Sequence, residues 1–255
     1  MKQTDLNMRK YLYTLLAICA LASCKKDETL RYNNMTMGNI QGESIISDQG
    51  NTFNIAETYY DVDLKLFESG RVMVLCDVLK KTSDNTYDIR LSSIVGVLAK
   101  EVKTMDESTP EENLEIDDPL IIREIWYSGG YLNMGIEFAR KAGSESIHYI
   151  NLIQKGTEQE EGQYTFILRH NALGEVPSAD DREYSSSTGY VSFPIAGIIK
   201  EDSAKISLEW NSFKIKNGWY NFFECESVSK GFNWNRNGYE HAPAGNMLKS
   251  IAVLK

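Results

Sequence analysis

Asp117–Phe138, DDPLIIREIWYSGGYLNMGIEF, decides how this chain is read. It opens on Asp117-Asp118-Pro119, a turn signal: proline pushes the residue before it out of the helical region, and Asp bonds its own backbone. An apolar run follows, Leu120, Ile121, Ile122, Ile125 and Trp126, and Ser128-Gly129-Gly130 makes a second turn. From Tyr131 the chain alternates. Leu132, Met134, Ile136 and Phe138 point to one side, with Asn133, Gly135 and Glu137 on the other. A period of two marks a strand with one buried face. The stretch therefore reads as the first hairpin of a second domain. Trp, Tyr, Ser and Gly crowd together there as in an active centre, but the alternation makes the stretch a structural seam. Trp126 is then a core or interdomain packing residue.

Upstream of this seam the chain is rich in strand signals. Met35–Ile46 reads as one strand, and Gln49-Gly50-Asn51 turns the chain into Thr52–Ile55. Glu57–Ser69 mixes periods and reads as an irregular loop or one short helix, closed by Gly70. Val72–Lys80 is the strongest strand, Ser83-Asp84-Asn85 a turn, and Tyr87–Val102 strand-like with a bend at Gly96. About five strands in so short a span suit a small OB-like Greek-key barrel over residues 35–103. Residues 104–118, acidic with Pro110 and no apolar period, read as a solvated linker; no calcium-loop spacing appears in them.

Downstream, residues 119–255 read as an antiparallel β-sandwich, so the whole chain is all-β. Ile147–Gln154 and Gly162–His170 are strands, Asn171–Thr188 a long polar loop, Tyr190–Ile195 a short strand and Ala204–Lys216 a long one. Asn217-Gly218 before Trp219–Cys225 is the strongest local hairpin signal, because both central residues need positive φ. Ser250–Leu254 is read as a last edge strand.

The first residues point to a compartment. Arg9-Lys10, the apolar run Tyr11–Ala22 and Leu21-Ala22-Ser23-Cys24 read as a lipoprotein signal peptide over residues 1–23. The apolar run is too short to span a bilayer, which needs about 20 residues. Met8 is an alternative start, since the signal is complete from there. Small residues before a cysteine resemble the lipobox, which implies diacylation (palmitate-type chains) on Cys24. Two acyl chains anchor stably where one does not. Residues 24–34 would be a tether, and the expected location is the outer membrane of a Gram-negative bacterium, on its periplasmic side or at the cell surface. Removing residues 1–23 leaves 232 residues and moves the net charge from −9 to about −11. So acidic a surface argues against nucleic acid as a partner. Cys76 and Cys225 would remain; both are expected to be buried thiols, in a compartment that permits a disulfide.

Chemistry-bearing patterns are scarce. His148 and His170 fall on neighbouring predicted strands, and neither they nor His241 show a metal-ligand spacing, so no metal and no cofactor is expected. No nucleophile elbow, P-loop or dinucleotide fingerprint occurs. Asp61 and Asp63 share one side of an extended chain, but spacing alone does not make a glycosidase pair, and they read as solvated. Among aromatic residues, Trp219, Tyr220, Trp234 and Tyr239 sit at a hairpin or in an Asn/Gly-rich loop, where they would either bind a ligand or pin the loop.

Asp118-Pro119, Trp126, Ser128-Gly129-Gly130, Tyr131-Leu132-Asn133 and the strand Ile147–Leu152 together resemble the NigD-like lipoproteins. The resemblance implies an OB-like N-terminal domain and a β-sandwich C-terminal domain, and it brings no catalytic signature. Two readings of function follow. One is a non-enzymatic, lipid-anchored envelope protein binding a glycan or protein through sandwich loops or the barrel face. The other is a bacteriocin immunity or accessory lipoprotein acting by protein–protein contact. A hydrolase with an unrecognised site is a third and weaker reading.

Overall fold

The computed structural model describes residues 30–31, 35–104, 116–156, 161–177, 184–217, 219–236 and 238. The expected signal peptide, Cys24, most of the acidic linker, His241 and the expected strand at Ser250–Leu254 lie outside them. Among the described residues every regular element is a strand except a single 3-10 turn, Leu64–Leu66.

After a two-residue strand β1 (Leu30–Arg31), five strands build the first layer: β2 (Thr36–Gln41), β3 (Ser44–Ser47), β4 (Thr52–Thr58), β5 (Arg71–Ser83) and β6 (Thr86–Gly96). β2 pairs with β3 and β3 with β4; β4 runs parallel to β6, β6 pairs with β5, and β5 returns to β2. The ring is therefore closed. Its fourth and fifth strands exchange places, and one pair is parallel, as in an OB-like Greek-key barrel. Ile45, Phe53, Val72, Val74, Cys76, Ile89 and Leu91 fill the interior. The expected single strand over 35–46 is in fact two. Gly42, at φ +62°, opens a two-residue hairpin that pairs Gln41 with Ser44. A glycine is suited to the positive φ such a turn demands.

The second layer is a sandwich. β7 (Leu98–Ala99), β8 (Lys103–Thr104), β9 (Ile121–Ser128), β10 (Tyr131–Lys141), β11 (Tyr149–Gln154), β12 (Gln163–Asn171), β13 (Tyr184–Pro194), β14 (Ser203–Lys216) and β15 (Trp219–Asn235) supply it. One sheet runs β7-β13-β10-β9, the other β15-β14-β12-β11-β8. The pairs β12–β14, β11–β8 and β13–β7 are parallel and the rest antiparallel. Leu132, Met134, Ile136 and Phe138 pack across the sandwich with Ile150, Leu152, Phe166, Leu168 and Leu208, the face that the alternation predicts. The β9–β10 turn is Gly129-Gly130, at φ +59° and +87°, a conformation costly for any other residue.

Two expectations change and a third is made specific. The polar run before Tyr190 is no loop throughout: β13 begins at Tyr184, because β10 extends to Lys141 and its backbone pairs with the serine-rich segment residue by residue. Glu57–Ser69 resolves into the end of β4 and the 3-10 turn, with the Asp63 carboxylate accepting from the backbone N–H of Lys65. Cys76 is buried as expected, its thiol pushed up to about 12 by burial and then by the Asp77 charge. Cys225, however, is exposed, and both thiols are free. It lies on β15, the edge strand of its sheet, where most side chains see solvent. That edge is blunted in the usual manner: Lys230 stands opposite the core residue Leu208, so its charge points along the inner face.

Arg71 joins the two layers. It begins β5 and is completely buried. Its Nη1 and Nη2 donate to the two carboxylate oxygens of Asp48 at 2.8 and 2.7 Å. Nε donates to Ser192 at 3.0 Å, Nη2 to Asn133 at 3.1 Å and Nη1 to Asn39 at 3.4 Å. All five guanidinium N–H groups are thereby used. The Tyr131 ring covers the guanidinium at 3.8 Å. Ser128 donates to Asp48 at 2.5 Å, and Asn133 donates to Ser128 at 3.0 Å. Beside this network Trp126 packs with Met37, Met73 and Val97, the second of the two places, core or interdomain, expected of it.

Gly129 belongs to the same device. A Cβ there would lie 2.5 Å from the Asp48 carboxylate, whereas one at Gly143 (φ +75°) would meet nothing within 4 Å. Both Gly→Ala changes carry left-handed strain of about 1–2 kcal/mol. Gly129→Ala should cost at least about 2 kcal/mol more than Gly143→Ala, because it also displaces a buried ionised partner. Urea-unfolding midpoints of the two variants check this; equal losses would detach Gly129 from the network.

Candidate functional site

The outer face of the barrel carries an organised polar and aromatic surface. Alternation sets it up: Ile45, Phe53 and Ile89 point inward, so Ser44, Asn54 and Asp88, paired across β3, β4 and β6, point outward. Ser44 donates to Asn54 at 3.0 Å, and Asn54 donates to Asp88 at 3.3 Å. Farther along, Arg90 donates from Nε to Glu57 at 2.6 Å and from Nη1 to the Tyr59 hydroxyl at 3.4 Å. The Tyr59 hydroxyl donates to Asp77 of β5 at 3.2 Å, and Arg90 sits 5.4 Å from the Tyr59 ring centroid. The next residue, Tyr60, accepts the backbone N–H of Ile94 at 3.0 Å.

These contacts fix two rings that stay wet. Tyr59 is 59% exposed and Tyr60 44%, and Leu66, in the same β4–β5 connection, is 75% exposed. Three of the seven exposed large apolar side chains among the described residues thus come from one short segment. Each tyrosine hydroxyl is tethered, so the rings hold their orientation without being covered. An aromatic platform beside Arg, Glu, Asp and Asn side chains combines stacking with planar hydrogen-bond partners.

The aromatic residues singled out from the sequence lie elsewhere. Trp234 is buried in the sandwich core with its ring edge-on to Tyr127 at 5.6 Å, so it packs and offers no surface to a ligand. Trp219 and Tyr220 start β15, but their side chains lie outside the described residues, as does Tyr239. Asp61 and Asp63 are exposed, as a solvated reading requires. Arg90 gave no signal in the sequence. Tyr59 and Tyr60 did: an aromatic pair in a segment with no single period has no face on which to be buried.

The two histidines do meet. His148, just before β11, and His170, on β12, stack at 5.1 Å with Nδ1 of His148 2.8 Å from Nε2 of His170. Both are buried, and Phe138 covers both rings. Nε2 of His148 lies 3.4 Å from the Glu175 carboxylate, and Nδ1 of His170 3.3 Å from the Pro119 carbonyl. Ser144 also bonds Glu175, and Lys141 donates its backbone N–H to it at 3.4 Å. Burial pulls His148 below its ordinary range against the pull of Glu175, and pushes His170 down to about 3. For Glu175, burial raises the carboxyl, but hydrogen bonds from Ser144, Ser146, His148 and Lys141 outweigh it and bring it down to about 2. The sequence placed the histidines on adjacent strands; Glu175 was hidden in a predicted polar loop. No cluster of three or more His, Cys, Asp or Glu fit to hold a metal occurs among the described residues. The His pair is closed to solvent, so it offers no site to a substrate.

Comparison with known proteins agrees with this architecture. Residues 101–222 match the model of the NigD-like C-terminal beta sandwich domain. A search of curated protein sequences finds no match. Among solved structures, a NigD-like immunity protein from Bacteroides caccae is 18% identical with a TM-score of 0.55, over 80% of this chain and 96% of that one. A protein of unknown function from Bacteroides vulgatus is 17% identical with a TM-score of 0.59, over 84% and 94%. A candidate lipoprotein from Bacteroides fragilis is 11% identical with a TM-score of 0.53, over 81% and 98%. Identities this low speak for a shared fold alone. Residues 101–222 are thus similar to the NigD-like C-terminal β-sandwich domain, the family that the seam at Asp117–Phe138 resembles.

Proposed function

We propose that this protein is a non-enzymatic, lipid-anchored envelope protein that binds its ligand on the outer face of the barrel, around Tyr59, Tyr60 and Arg90. The observation that carries the reading is the tethered, exposed tyrosine pair beside a hydrogen-bonded row of polar side chains. Large exposed aromatic rings are what glycan and protein ligands use, and OB-type barrels bind oligosaccharides on the face of their second and third strands, here β3 and β4, which carry Ser44 and Asn54. The acidic balance of the chain disfavours polyanions, so a neutral glycan fits best. Catalysis is not part of the reading, since the most strongly shifted titratable cluster is buried away from this surface. The second reading, an immunity or accessory role by protein contact, is supported by the name of the Bacteroides caccae relative and would use the same face.

Two experiments bear on this. In a glycan array and a pull-down from envelope extracts, the Tyr59→Ala/Tyr60→Ala double variant should lose at least about tenfold in affinity for whatever the parent protein binds, since buried aromatic contacts dominate binding energy. Undiminished binding by the variant would move the site off the barrel. Capture of a toxin polypeptide in place of a glycan would favour the second reading. Separately, Cys24→Ala should shift the protein from the membrane to the soluble fraction, and a variant that stays with membranes would refute the lipid anchor.

A further inference from the structure

We propose that His148 and His170 form an acid-sensitive latch that secures the entry to β9 of the sandwich at neutral pH and loosens it when the pair is forced to take up protons. The pair cannot hold as many protons as two free imidazoles. The two ring nitrogens 2.8 Å apart share one hydrogen, so one of them must present a lone pair. Two imidazolium rings would point N–H at N–H. The folded pair therefore binds at most three ring protons, whereas two separate imidazoles in the unfolded chain bind four.

The surroundings fix the direction of the bonds. An ionised Glu175 accepts from Nε2 of His148, which leaves Nδ1 of His148 to accept from Nε2 of His170. Nδ1 of His170 then carries a lone pair facing the Pro119 carbonyl. A neutral pair satisfies two of the three contacts, and a third proton would complete the chain only by placing a buried cation between β11, β12 and Phe138. The charged groups facing the pair do not remove that cost. Glu175 and Asp118 favour a cation, while Arg140 opposes one at His148 and the charge of each ring opposes one at the other. The backbone N–H of Lys141 and the hydroxyl groups of Ser144 and Ser146 already occupy Glu175.

What the latch holds is visible from the bonds around it. The backbone N–H of Asp118 donates to the carbonyl of His170 at 2.9 Å. The N–H of Ala172 donates to the Asp118 carboxylate at 2.8 Å. The histidine pair thus sits under the point where Asp118-Pro119 leads the chain into β9, and Glu175 ties in the loop after β12. The sign follows from linkage. Folding lowers the affinity of both rings for protons below the ordinary value of about 6.5, so stability is fully present above that pH. It falls as the pH drops toward the folded value, near 3 for His170, because the unfolded chain takes up protons that the folded one refuses.

Urea unfolding of the full mature protein at pH 7.5 and 5.5 tests this, in a range where few carboxylates titrate. Each refused proton should raise the unfolding equilibrium constant about tenfold across that interval, and both together about a hundredfold. The His148→Gln/His170→Gln variant should lose this dependence. An equal pH response in parent and variant would overturn the proposal. Should the variant not fold, imidazole nitrogen NMR of the parent protein decides: both rings should stay neutral and in one tautomer down to pH 5.5. Titration of either ring near its ordinary value would overturn the latch.

Discussion

The bidentate pair of Arg71 with Asp48 is the constraint on which the rest of the structure depends. A guanidinium with no exposure is tolerable only if its charge is matched and every N–H is bonded, and here both conditions hold. Asp48 comes from the β3–β4 turn of the barrel, and Ser128, Asn133 and Ser192 from the sandwich, so neither layer alone can satisfy the arginine. Such a pair adds little net stability over an apolar contact of the same shape. Its effect is specificity: any arrangement that moves the sandwich off the barrel strands a buried charge, at about 3–5 kcal/mol. The tight Gly129-Gly130 turn, the Tyr131 ring over the guanidinium and the Trp126 cluster all follow from the need to bring Asn133 and Ser128 to that charge.

This explains why a motif of Trp, Ser, Gly, Tyr and Asn without catalytic meaning is the most recognisable part of the chain. Its residues read as a seam because they are one. The barrel face and the histidine pair then occupy places that the seam leaves free. One is open and faces solvent, the other closed and beneath the entry to β9, which suits a ligand surface and a stability-linked device respectively.

Period-two alternation made the sandwich legible, since Leu132 to Phe138 could be buried only on one face. Strand count made the barrel legible, and Gly129-Gly130 announced its turn by composition. Other features depended on distance in the sequence. Arg71 lies 23, 62 and 121 residues from Asp48, Asn133 and Ser192, and nothing local separates it from a surface arginine. Glu175 reaches His148 only after the chain has formed β12. Trp234 looked like a loop aromatic because Asn and Gly surround it, yet pairing with Ala204 carries β15 far enough to bury it. The strand at Tyr184–Pro194 was masked by serines, whose β pairing here rests on backbone bonds to β10 and not on side-chain pattern.

Whether Arg71 makes barrel and sandwich one cooperative unit is read by hydrogen exchange across a urea series in the parent protein and in Arg71→Met. In the parent protein, slow amides of β5 and of β10 should lose protection together at one urea concentration. In Arg71→Met the midpoint should fall by the equivalent of about 3–5 kcal/mol, and the two strands should lose protection at different concentrations. Unchanged stability with coincident loss of protection in the variant would contradict the account.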